Sequence, residues 1–148
     1  MSVRNRIAVL HGVNLDQLAL RSSEHYSGLS FDELERQIGV YASDLGLQCR
    51  FFQTNHEGEL VEHLHGLAGM ADGIVLNPGA WTHYAWSLHD ALELTGLPAV
   101  EVHLSDVANR EAWRRVSVIS DVCIATVSGK GVEGYRDALE RLRTELSE

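Results

Sequence analysis

The chain has 148 residues, a length that suits one domain able to bury a core without metal or disulfide staples. Its formal charge of −9, with Lys130 as the only lysine, argues against general nucleic-acid binding, which depends on Lys and Arg neutralising phosphates. No apolar run approaches the ~20 residues that cross a bilayer, and the segment Met1–Arg6 leads straight into an apolar strand without a signal-peptide core, so no membrane partner and a cytoplasmic location are expected.

In chain order, Ile7–Leu10 reads as the first strand. The stretch from His11 to Leu29 is irregular, and a loop of that length in a small domain is expected to be a binding loop or active-site lid. A helix is predicted from Ser30: Ser30 and Glu33 form a capping box, and Leu34, Ile38, Tyr41 and Leu45 recur at helical spacing before Gly46. Leu47–Phe52 reads as a second strand, Leu60, Leu64 and Leu67 mark a second helix, and Ile74–Leu76 is a third strand. A third helix is predicted over about His83 to Leu94, further strands at Ala99–Leu104 and Val122–Val127, and a last helix from Tyr135, Leu139, Leu142 and Leu146. Strand and helix alternate, which implies right-handed crossovers and a parallel sheet covered on both faces. The expected fold is a flavodoxin-like three-layer α/β/α sandwich, with a five-stranded parallel sheet in the order 2-1-3-4-5 and residues 1–148 forming one domain.

In such a sheet, ligands bind beyond the carboxyl ends of the strands. The residues there are polar: His11, Gly12 and Asn14, then Asn55, His56 and Glu57, then Asn77 and His83, then Ser105. Glu101 and His103 lie two apart on a predicted strand and so share a face. A carboxylate beside an imidazole fixes its tautomer and raises its basicity, which makes a general acid or base. A buried histidine satisfied by its neighbour explains that pair alone equally well; its convergence with Asn77, His83 and Ser105 favours catalysis. In the lid, a guanidinium at Arg21 near Tyr26 would favour the phenolate, a competent base, although an Arg and a Tyr on a loop, taken alone, are more often surface packing.

Other signals point away from chemistry. The stretch Gly129 to Gly134 matches G-x-G-x-x-G but follows the last strand, so a strand-to-helix turn is expected instead of a nucleotide loop. His63 and His65 diverge on a helix, and His83 and His103 have no cysteine close by, so a metal-free site is favoured. Cys49 and Cys123 read as buried reduced thiols, and Lys130 sits between glycines as a solvated amine unsuited to imine catalysis.

Taken in order, His11-Gly12-Val13-Asn14-Leu15, Arg21 with Tyr26, Asn55-His56-Glu57-Gly58, Asn77-Pro78-Gly79-Ala80-Trp81-Thr82-His83, Glu101-Val102-His103-Leu104-Ser105 and Gly134-Tyr135 resemble type II 3-dehydroquinate dehydratase over nearly the whole chain. The resemblance implies elimination of water from 3-dehydroquinate to give 3-dehydroshikimate without cofactor or metal, in a homo-oligomer, usually a dodecamer of trimers. It implies that Tyr26, activated by Arg21, removes the proton next to the ketone, that Asn14 holds a water against the enolate, and that His103, oriented by Glu101, protonates the leaving hydroxyl. Asn77, Ser105 and the backbone after Leu104 would take the substrate carboxylate, and His83 and Arg114 the ring hydroxyls. Arg110 matches a lid-anchoring position and Asp90 one at the trimer interface. The chain has His11 and Val13 where the family usually has Asn and Pro, Ser22-Ser23 where it has Glu-Pro, and Tyr84-Ala85 where it has Thr-Ser. Two further readings stay open: a relative acting on another cyclic keto acid such as aminodehydroquinate, and a non-catalytic module binding an anion at the same sheet end.

Overall fold

The apolar runs become the strands of one parallel sheet in the computed structural model, which describes residues 3–26 and 28–148. The strands are β1 (Arg6–His11), β2 (Gln48–Gln53), β3 (Gly73–Asn77), β4 (Ala99–His103) and β5 (Ala125–Ser128), in the order β2-β1-β3-β4-β5. This is the flavodoxin-like order. The helices are α1 (Ser23–Tyr26), α2 (Phe31–Asp44), α3 (Glu57–His65), α4 (Trp86–Thr95) and α5 (Glu133–Leu146). No helix among the described residues is long and apolar enough to cross a membrane.

The period-2 alternation of strand side chains splits the core in two. Ile7, Val9, Val75, Val100 and Val102 face α2 and α5, where they meet Leu34, Ile38, Leu139 and Leu142. Ala8, Leu10, Ile74 and Leu76 face α3 and α4, packing on Leu60, Leu64, Leu88 and Leu92. Each fully buried aliphatic side chain stabilises the fold by roughly 1.5–3 kcal/mol. Helix α2 starts where its sequence predicts, with the Ser30 hydroxyl accepting from the Glu33 N–H at 3.1 Å.

Several boundaries differ from expectation. Helix α3 stops at His65 because Gly66 caps it, so Leu67 lies beyond the helix although it remains buried. The helix expected from His83 is two pieces, a 3-10 turn over Gly79–His83 and then α4 from Trp86. The last strand begins only at Ala125: Ser120–Val122 is a 3-10 turn closed by the Cys123 N–H bonding to the Ser120 carbonyl at 3.1 Å. The lid carries more structure than its polarity suggests, since Leu15–Leu20 is a 3-10 segment whose Leu15 and Leu18 are buried.

Order reverses between β1 and β3, and there the two connecting loops press together. A Cβ on Gly12 would lie 2.3 Å from the Pro78 carbonyl oxygen, and one on Gly79, whose φ is +63°, 2.7 Å from the Val13 carbonyl. Only glycine permits that approach, which sets Asn14 and Asn77 side by side at the sheet's carboxyl end.

Candidate active site

A cleft of about 270 Å³ opens over this crossover point. Asn14, Arg21 and Tyr26 reach it from the segment after β1, Asn77 and His83 from the segment after β3, His103, Leu104 and Ser105 from the end of β4, and Arg110 and Arg114 from the following 3-10 turns. The chain as a whole is acidic, yet three guanidiniums line this one concavity, which focuses positive potential on it.

Asn14 is the only non-glycine with positive φ among the described residues, at 69°, a left-handed conformation that asparagine tolerates best. Its N–H donates to the Asn55 Oδ1 at 2.8 Å, which fixes the loop and leaves the amide side chain on the cleft wall. Asn77 accepts from the Gly79 N–H at 3.0 Å and, largely buried, forms part of the cleft floor.

The paired residues of β4 meet as their spacing requires. His103 Nε2 lies 2.5 Å from the Glu101 Oε2, and Glu101 is wholly buried. The Thr82 hydroxyl donates to the same oxygen at 2.5 Å and the Ser117 hydroxyl to the Glu101 Oε1 at 2.8 Å. Burial alone would raise the Glu101 pKa, but the His103 hydrogen bond and charge, with Thr82 and Ser117, outweigh it and leave the carboxyl below its ordinary value. A carboxylate accepts, so Nε2 carries the hydrogen and Nδ1 remains for acid–base chemistry.

Across the cleft, Arg21 Nη2 and Arg110 Nη1 both donate to the Tyr26 hydroxyl oxygen, the latter at 2.6 Å. The Arg21 guanidinium also lies 4.1 Å from the Tyr26 ring centroid. Arg110 Nη1 donates further to the Ser105 hydroxyl at 3.3 Å, tying the lid to the end of β4. Two cationic donors therefore converge on one phenol oxygen at the cleft wall.

Of the residues singled out from sequence, Asn14, Arg21, Tyr26, Asn77, His83, His103, Leu104, Ser105 and Arg114 line the cleft, with Glu101 directly behind His103. Asp90 does not: it is exposed on α4, where it pairs with its neighbour His89 at 2.8 Å. His11 also turns away, because its strand parity points it toward α2. It is buried between Phe31 and Phe51, with Nε2 3.2 Å from the Glu35 carboxylate. Sequence reasoning missed Trp113, which lines the cleft, and the Thr82 and Ser117 hydroxyls that hold Glu101. Thr82 stood next to His83 in a polar stretch, whereas Ser117 comes to Glu101 only through tertiary packing.

The rival signals resolve as structure. Gly129 to Gly134 joins β5 to α5, and the Lys130 amine is exposed and paired with Asp137 at 2.5 Å. Cys49 and Cys123 are free thiols, pushed by burial up to about 11 and about 12, values at which little reactive thiolate forms near neutral pH. His63 stacks on Phe52 at 3.9 Å, and among the described residues no group of three or more His, Cys, Asp or Glu side chains is placed to hold a metal ion.

Residues 5–143 match the family model "Dehydroquinase class II". A 3-dehydroquinate dehydratase of Thermotoga neapolitana is 43% identical over 143 residues, covering 97% of each chain. Crystal structures of type II dehydroquinases from Butyrivibrio crossotus and Propionibacterium acnes superpose with TM-scores of 0.90 at 34% and 35% identity. They cover 94% and 97% of this chain and 97% and 99% of their own.

Proposed function

The chain belongs to the class II dehydroquinase family, and from that premise we propose that it is a type II 3-dehydroquinate dehydratase, a hydro-lyase converting 3-dehydroquinate to 3-dehydroshikimate. The observation that carries this reading is the Tyr26 phenol and the His103–Glu101 pair on the walls of one arginine-lined cleft.

The arrangement supports the following course of reaction. A proton next to a ketone is weakly acidic, so its removal needs a placed base and a stabilised enolate. Tyr26, as phenolate between Arg21 and Arg110, takes that proton, and the C–H electron pair becomes the enolate. A water held by the Asn14 amide donates to the enolate oxygen. The enolate then collapses: its electrons form the new ring double bond, the carbon–oxygen bond to the leaving hydroxyl breaks, and His103 Nδ1–H supplies the proton that makes the departing group water. Glu101 holds the resulting imidazole in its tautomer, and one proton passing from Tyr26 to His103 through solvent resets the site. Ser105, Asn77 and the backbone after Leu104 bind the substrate carboxylate, while His83 and Arg114 take ring hydroxyls. No step calls for a cofactor or metal. Closure of the lid over the cleft excludes bulk water and strengthens each of these interactions.

The protein acts in the cytoplasm as one domain, assembled as a tetramer of trimers. The half-exposed or exposed Tyr84, Trp86 and Leu94 on and beside α4, the helix that carries Asp90, support that assembly. The related-substrate reading is weaker because His11, Tyr84 and Ala85, which motivate it, do not line the cleft.

One assay tests the proposal: purified protein with millimolar dehydroquinate, followed by the absorbance of the conjugated enone. Wild type is expected to produce the signal and Tyr26→Phe to lose it while still binding substrate. Absence of enone from the wild type would remove this substrate, and full activity in Tyr26→Phe would remove the mechanism.

A further inference from the structure

We propose that Trp113 is a positioning residue: it locks the His83 ring as a one-way hydrogen-bond acceptor, so that the ligand is held through a hydroxyl that must donate. The identity of that ligand rests on the dehydratase reading; the lock itself does not.

His83 ends the 3-10 turn Gly79–His83, and the 3-10 segment Ala112–Arg115 crosses over it. His83 Nδ1 lies 2.6 Å from the Val116 carbonyl oxygen. A carbonyl can only accept, so Nδ1 carries the hydrogen and the neutral ring has its lone pair at Nε2. Burial is the largest influence holding His83 below its ordinary range. The Val116 bond opposes it, the charges of His103 and Arg114 reinforce it, and Glu101 opposes it. The ring is therefore neutral at neutral pH, and Nε2 is an acceptor only.

One hydrogen bond leaves an imidazole free to rock about it. Trp113 supplies the second constraint, its indole standing edge-on to the His83 ring with centroids 5.1 Å apart and planes at 86°. The Arg114 guanidinium lies over the indole at 4.2 Å from its centroid. Trp113 thus touches both groups assigned to ligand hydroxyls, although it offers the ligand no charge itself. It also stays 51% exposed at the cleft mouth, a poor place for an indole that only fills a core.

The test compares Trp113→Ala, Trp113→Leu and Trp113→Phe. Enone assays across pH give KM and kcat, and nitrogen-15 histidine spectra of the ligand-free protein report the His83 tautomer, assigned by the resonance lost in His83→Gln. Trp113→Ala is expected to raise KM about tenfold with kcat within about threefold, as loss of aromatic and cation–π contacts implies. Its KM should also begin to climb at a higher pH than in wild type, as a looser and wetter His83 protonates earlier. Its spectrum should show mixed tautomers, and Trp113→Phe should restore a single Nδ1–H form. Trp113→Leu takes the place of Trp113→Ala should the latter not fold. An unchanged KM profile or an unchanged tautomer in Trp113→Ala or its leucine substitute overturns the proposal. A wild type that forms no enone instead overturns the dehydratase reading, and the spectra, which need no substrate, still decide the lock.

Discussion

At the scale of single residues, the buried carboxylate Glu101, directly behind His103, is held from three sides. Three donors, from His103, Thr82 and Ser117, converge on it with no exposure to water. Glu101→Gln keeps the shape but removes the charge that stabilises an imidazolium at His103, and its amide nitrogen meets donors where an acceptor stood. We expect kcat to fall by about 10²-fold or more, within the range of general acid–base contributions, with KM little changed, as steady-state kinetics would show. A variant retaining most of the wild-type kcat would mean that His103 does not act through Glu101. The pair was legible in sequence because strand parity alone puts residues two apart on one face. Its supporting hydroxyls were not: nothing local links Ser117 to Glu101. Trp113 escaped notice for a similar reason, since an aromatic in a polar, arginine-rich stretch carries no periodic signal and its role depends on a turn crossing it over His83.

At the scale of elements, α2 and the lid share a junction. The lid ends and the helix begins at Ser30, so the Ser30 cap fixes where the chain leaves the cleft and enters the core. Ser30→Ala removes one acceptor from the first turn and is expected to destabilise the protein by about 1 kcal/mol in urea unfolding. If that first turn also anchors the lid, KM for substrate should rise as well; stability loss with unchanged KM would separate the two. Elements with a clean period were readable, as α2 and the central strands show. The short 3-10 turns at Gly79–His83, Ala112–Arg115 and Ser120–Val122 were not, because one turn is too short to display a period. The first two of these turns carry His83, Trp113 and Arg114, and of these three it is Trp113 that the sequence did not bring to notice.

At the scale of the whole molecule, alternation of strand and helix implied the parallel sheet, and the flavodoxin-like order chosen for it is the one observed, which puts the cleft where β1 and β3 meet and the order reverses. The pH dependence of stability is also a whole-molecule property and can be worked out from the groups the fold perturbs. Asp72, held by its hydrogen bonds to Arg6, and Glu101, held by its three donors against its burial, both lie below their ordinary values. A carboxyl depressed by folding contributes stability above its unfolded pKa, and that contribution disappears as pH falls through the folded one. Glu111 is depressed by Arg114 in the same direction but is fully exposed and screened. Burial lowers His63 and His83, so these also cost stability as pH drops through the ordinary histidine range, while His89, raised first by Asp90 and also by Asp121, adds stability there and loses it as pH rises. These histidines oppose one another, so thermal midpoints should change little from about pH 8 to about pH 5 and drop steeply below about pH 4, where the carboxylates take up protons. Asp72→Asn isolates one contribution: its Tm should lie below wild type at neutral pH, and the gap should close in acid, because the wild-type carboxylate is by then protonated too. A gap that stayed constant from neutral to acid pH would show that Asp72 stabilises by shape and neutral hydrogen bonding, with its charge contributing nothing.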